Sequence, residues 1–176
     1  MPRVPFEELP DHGRLWVFPA TRDLSEPEAA ACLDAVDDFL ASWSAHGVPL
    51  RSARKLVERR FLLVGVDVDA EAPSGCSIDA LVNRLRGLGE ELGLTLIDHA
   101  PVWYRAGEGD VRTASRTDFR TLVRQRAVGP AVMVFDTSLT RVGEERAGGL
   151  ERPAAESWHG KAFFGASTAT GAVTRG

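Results

Sequence analysis

The residues best suited to chemistry in this chain sit in one short segment, Ser74-Gly75-Cys76-Ser77-Ile78-Asp79. An apolar run precedes it, Pro73 interrupts it and an amphipathic run follows, so it reads as a passage from a strand into a helix. Such a passage gathers free backbone amides, the positive end of a helix dipole and the Cys76 sulfur at one point. That setting lowers a thiol pKa and favours a bound anion. Cys76 is therefore a candidate nucleophile or redox thiol, and Ser74, Gly75 and Ser77 form a candidate anion cradle. The alternative is structural: Ser74, Ser77 and Asp79 are what a helix start carries as caps and dipole partners, and cysteine is often buried as a small hydrophobe.

A thiol nucleophile needs a base, and the base needs an orienter. The available imidazoles are His12, His46, His99 and His159. His46 and His159 are the candidate bases, with Asp79 or Asp67 as orienter. His46, three residues after Trp43, is equally placed to cap the end of a first helix. His159, in Glu156-Ser157-Trp158-His159, is either a surface residue or a group delivered to a cleft. No HxH, HxxH or HxxxH pair and no CxxC occurs, so no metal site is expected. Gly-Lys-Ser/Thr, Gly-x-Gly-x-x-Gly and Gly-x-Ser-x-Gly are all missing, which excludes a standard P-loop ATPase, the dinucleotide fingerprint and the serine-hydrolase elbow, and leaves no cofactor implied.

Charge adds a second kind of candidate. The 176 residues carry 21 basic and 25 acidic side chains, a net charge of −4, and only Lys55 and Lys161 among the cations are not arginine. Arg51, Arg54, Lys55, Arg59 and Arg60 form one basic cluster, and Arg112, Arg116, Arg120, Arg124 and Arg126 another. Arg116, Arg120 and Arg124 fall at i, i+4 and i+8, one stripe of a helix. A solvated face explains such a stripe, and phosphate or RNA contact is the sharper reading. A net acidic chain without aromatic interleaving of the RNP kind leaves nucleic acid unexpected.

These residues must be positioned by a mixed set of elements. Leu15–Phe18 suits a buried strand, and Ser25-Glu26-Pro27-Glu28 is a capping box opening a helix with Cys32, Leu33, Val36, Phe39, Leu40 and Trp43 on its apolar face and Gly47 as its stop. Leu50–Val57 and Phe61–Val68 read as strands meeting at Glu58-Arg59-Arg60. A second helix follows Ser74, with Ile78, Leu81, Val82, Leu85, Leu88 and Leu92 in one stripe and Gly93 as its stop. Leu94–Tyr104 reads as a strand interrupted at Pro101. The order is that of an α+β, ferredoxin-like split βαβ sandwich with two helices on one face of an antiparallel sheet. A third helix from Ser115 to Gly129-Pro130 and a strand over Ala131–Phe135 are C-terminal additions. One domain over residues 1–165 and a disordered tail over 166–176 are expected. No apolar run reaches the roughly 18 residues of a membrane span, the start lacks a signal-peptide core, and two cysteines cannot form a disulfide framework, so a soluble cytoplasmic protein is expected.

At Pro5–His12, Trp43–Gly47, Ser74–Asp79 and Glu156–His159 the chain resembles a family of small uncharacterised bacterial proteins, found chiefly in the Bacteroidetes and their relatives. The likeness spans residues 5–164. Some members carry the label ABC transporter ATPase, from which this chain departs by lacking every Walker element. The resemblance implies one protein built around the four segments and brings no activity or cofactor. The favoured expectation is a non-catalytic binding or assembly module, with a homo-oligomer or a small anionic ligand as partner and no membrane. Its alternative is a thiol-dependent enzyme or anion-binding protein centred on Cys76.

Overall fold

The computed structural model describes residues 3–165. In chain order the elements are β1 (Arg14–Pro19), α1 (Glu26–Ser42), β2 (Ser44–Ala45), β3 (Val48–Pro49), β4 (Ser52–Val57), β5 (Phe61–Val66), α2 (Gly75–Leu92), β6 (Val102–Arg105), β7 (Val111–Ala114), α3 (Arg116–Arg124), β8 (Met133–Phe135), α4 (Val142–Arg146) and β9 (Glu151–Pro153). They gather into two units, residues 3–99 with 137–147, and residues 100–136 with 148–165. The expected tail lies outside the described residues.

In the first unit β5 is apolar at every position because it is central, flanked antiparallel by β1 and β4. Period-two alternation sends Trp16, Phe18, Leu62, Val64 and Val66 to one face, where they join Cys32, Val36 and Leu40 of α1 and Leu81, Leu85 and Leu88 of α2 in a single core. Both helices open on capping boxes. The Ser25 hydroxyl accepts from the Glu28 amide while Glu28 accepts from the Ser25 amide, and Ser74 and Ser77 repeat the exchange at α2. Gly93, at φ 70°, ends α2 in the left-handed conformation that costs glycine least.

Two elements differ from expectation. The α1 helix stops at Ser42, and His46 and Gly47, at φ 52° and 79°, form the two-residue turn of the hairpin β2–β3. Two successive positive φ values suit a primed turn, whose twist matches the strands it joins. Trp43 keeps its place in the apolar stripe although it is extended, and its indole N–H donates to the Ser77 carbonyl at 2.9 Å. Leu94–His99 is irregular. It lies beside β1 through a Thr21 N–H donated to the Thr95 carbonyl and a His99 Nε2 donated to the Val17 carbonyl at 2.7 Å.

The second unit is an antiparallel sheet in the order β7-β6-β8-β9. Val102, Tyr104, Phe119, Val134, Ala154 and Phe164 form its core, bordered by Leu122, Val123, Val128 and Phe163. The α3 helix is nine residues long and ends well before Gly129-Pro130, with Arg126 in the left-handed region at φ 58°. The chain is thus a mixed α+β protein with antiparallel sheets. Among its described residues no helix is long and apolar enough to cross a membrane.

Candidate anion site on the third helix

The Ser74–Asp79 segment does begin α2, with Ser74 as N-cap and Cys76 and Asp79 exposed in the first turns. Its two serine hydroxyls are already engaged with each other's backbone. The Ser74 hydroxyl accepts from the Ser77 amide at 3.1 Å, and the Ser77 hydroxyl accepts from the Ser74 amide at 2.7 Å and donates to the Ser74 carbonyl at 2.8 Å. Gly75 is exposed with open space where a Cβ would stand. The Cys76 sulfur makes no hydrogen bond among the described residues, and no imidazole is bonded to it. His46 is exposed in its hairpin turn rather than capping α1. Asp67 is engaged by Arg51 at 2.9 Å.

His159 belongs to the second unit, and it is 1% exposed. Its Nδ1 lies 2.8 Å from the Ser157 hydroxyl, which also accepts the His159 amide at 3.2 Å. Trp158 stacks on the imidazole with ring centres 3.8 Å apart. Burial pushes its pKa down to about 4, opposed by the Asp136 carboxylate and reinforced by the Arg116 charge. Near neutral pH the His159 imidazole is therefore uncharged. Gly160 permits this turn, because a Cβ there would stand 2.9 Å from the Ala154 carbonyl oxygen.

The Trp158–Phe163 segment does something the sequence alone does not reveal. It brings two aromatic rings under the arginine stripe of α3. The Arg116 guanidinium carbon lies 5.1 Å from the centre of the Trp158 ring, and that of Arg120 lies 5.5 Å from the centre of Phe163. Phe163 is held in turn by Phe119, edge to face at 4.9 Å. Between α3 and this segment a pocket of about 350 Å³ is lined by Thr117, Arg120, Val123, Arg124, Ala162 and Phe163.

Charge pairing separates the two basic clusters. Around the first hairpin Arg51 meets Asp67 and Glu8, Arg54 meets Asp37 at 2.9 Å, Lys55 meets Glu145 at 2.6 Å, and Arg60, only 7% exposed, meets Asp23. Around α3, Arg112, Arg116, Arg120, Arg124 and Arg126 are all exposed, and among the described residues none has a carboxylate partner. Of the first cluster only Arg59 is exposed without a carboxylate partner among the described residues, whereas the whole second cluster is. Over residues 100–136 and 148–165 eight basic side chains stand against six acidic ones, in a chain whose total is acidic.

The helix itself is disfavoured by this stripe. Like charges at i, i+4 cost a few tenths of a kcal/mol per pair, and Arg116, in the first turn, opposes the dipole. A hydrogen bond from Arg116 Nε to the Ala100 carbonyl at 3.4 Å and the two aromatic contacts hold Arg116 and Arg120, and Arg124 Nη2 donates to the Thr121 hydroxyl at 3.1 Å. Fixed, exposed guanidinium groups beside a pocket can bind an anion through paired N–H donors. No group of three or more His, Cys, Asp or Glu side chains among the described residues could hold a metal ion. Comparison with protein-family models, with curated proteins and with solved structures finds no match.

Proposed function

We propose that this protein is a non-catalytic binding module whose ligand is a small anion held on the arginine face of α3. The observation that carries this reading is the contrast in pairing. Around the first hairpin Arg51, Arg54, Lys55 and Arg60 are each matched to a carboxylate, whereas Arg116, Arg120 and Arg124 stand in a row without one among the described residues. Asp118 of α3 is not within ion-pair distance of these arginines, so the row's repulsion is not relieved by a direct pair, and a bound anion would offset it. The pocket beside Arg120 and Arg124 falls within the size range of small-molecule sites.

Calorimetric titration with inorganic pyrophosphate at low ionic strength tests this. Saturable binding that weakens with salt and disappears in the Arg120→Gln, Arg124→Gln double variant is the expected result. Binding unaffected by those substitutions, or none at all, would refute it. A thiol-dependent enzyme on Cys76 has less support, because the sulfur is exposed at a helix start but has no imidazole bonded to it. As part of the same proposal, the first unit is a ferredoxin-like sandwich in which irregular Leu94–His99 takes the place of the fourth strand, and the chain belongs to the small bacterial family it resembles.

A further inference from the structure

We propose that the anion taken by the α3 pocket is a phosphate ester carrying a planar ring, a ligand of the nucleotide class. This inference rests on the anion-binding reading and adds to it what lies beyond the charge. The pocket lining is chemically mixed. Arg120, Arg124 and Thr117 supply donors, and Val123, Ala162 and Phe163 supply apolar surface. A bare inorganic anion would use only the donors, and at about 350 Å³ the pocket holds considerably more than one phosphate.

The arginines also have a pitch. Residues four apart on a helix are separated by about 6 Å along its axis, so Arg120 and Arg124 can each engage one of two adjacent phosphoryl groups. Arg120 lies over Phe163, which sets its donors next to an apolar ring. A ring attached to the phosphate would then meet Phe163 and Val123 while the phosphate stays on the guanidinium groups. A long nucleic acid is less well matched. The stripe is three arginines on a nine-residue helix, and the whole chain is acidic, with a net charge of −4.

Titrating the intact protein in parallel with ADP, UDP, pyrophosphate, adenosine and an eight-residue oligothymidylate separates the possibilities. At least one nucleotide is expected to bind about tenfold more tightly than pyrophosphate, the gain a stacked ring supplies, with adenosine weaker than either. In the Phe163→Ala variant the nucleotide's advantage over pyrophosphate, both measured on that variant, should disappear. Phe163→Leu, which retains apolar volume at this half-buried site, serves the same purpose if the alanine variant unfolds. Equal affinity for nucleotides and pyrophosphate would overturn the ring and leave the anion site standing. No binding of any anion would remove both. Oligothymidylate binding tighter than the nucleotides would overturn the small-ligand assignment in favour of a polymer.

Discussion

Acidification should destabilise the second unit through one residue, His159. Its imidazole is 1% exposed, and burial lowers its pKa from the usual 6.5 to about 4. In the unfolded chain the ring takes a proton near pH 6.5, and in the folded protein only near pH 4. Between those values the unfolded state binds more protons, so stability falls as the pH falls through this window and levels off below it. At 1.36 kcal/mol per pH unit of difference the loss attributable to His159 is about 3 kcal/mol. Carboxylates titrate in the lower part of the same range, so the informative quantity is a difference. Urea unfolding at a series of pH values would be compared between the native protein and His159→Gln, whose amide can still meet the Ser157 hydroxyl but cannot take a proton. The native protein should lose about 3 kcal/mol more than the variant between pH 6.5 and 4. Parallel pH profiles, or an NMR titration of His159 centred near 6.5, would refute the reasoning.

The two cysteines should separate sharply in a thiol-labelling experiment at neutral pH. Cys76 is exposed and should react in the folded protein, whereas Cys32, fully buried and with its thiol pushed up to about 11 by burial, should react only on unfolding. Equal rates would contradict the placement of α1. Two glycines of α2 should respond in opposite directions in thermal unfolding. Gly87→Ala meets nothing closer than 4.0 Å and should stabilise by up to about 1 kcal/mol, whereas Gly89→Ala would set a Cβ 2.6 Å from the Leu94 carbonyl oxygen and should destabilise. Stabilisation by both substitutions would show that the α2 terminus is looser than the structure indicates.

What could be read from the sequence was largely what depends on neighbours within a turn or two. The capping box at Ser25, the serine cap at Ser74, the Leu81-Leu85-Leu88 stripe and the Gly93 stop are local chemistry, and the structure contains each of them. The end of α1 is hidden in the sequence because Trp43 sits at a helical spacing from Phe39 and Leu40. Its burial follows from that spacing, but the chain is already extended there and His46-Gly47 turns a hairpin. The candidate site shows the same division. The i, i+4, i+8 spacing of Arg116, Arg120 and Arg124 is visible in the sequence, yet two facts that give it meaning are tertiary. One is that Trp158 and Phe163 return to lie against these arginines. The other is that the hairpin cluster is neutralised by residues as distant as Glu145, which pairs with Lys55 across ninety positions. The sequence pointed first to Cys76, because a helix start suits an anion or a thiolate. The reciprocal serine bonds at that start leave its hydroxyls committed to the cap.

The central claim, that the unpaired arginines of α3 are an anion site, is tested most directly by following the arginine Nε–Hε resonances in two-dimensional NMR while pyrophosphate is added. Arg120 and Arg124 should shift together and saturate at one concentration, while Arg54, held by both oxygens of Asp37 at 2.9 Å, should not move. Uniform small shifts of all exposed arginines, or no shift at Arg120 and Arg124 while arginines elsewhere respond, would contradict the account.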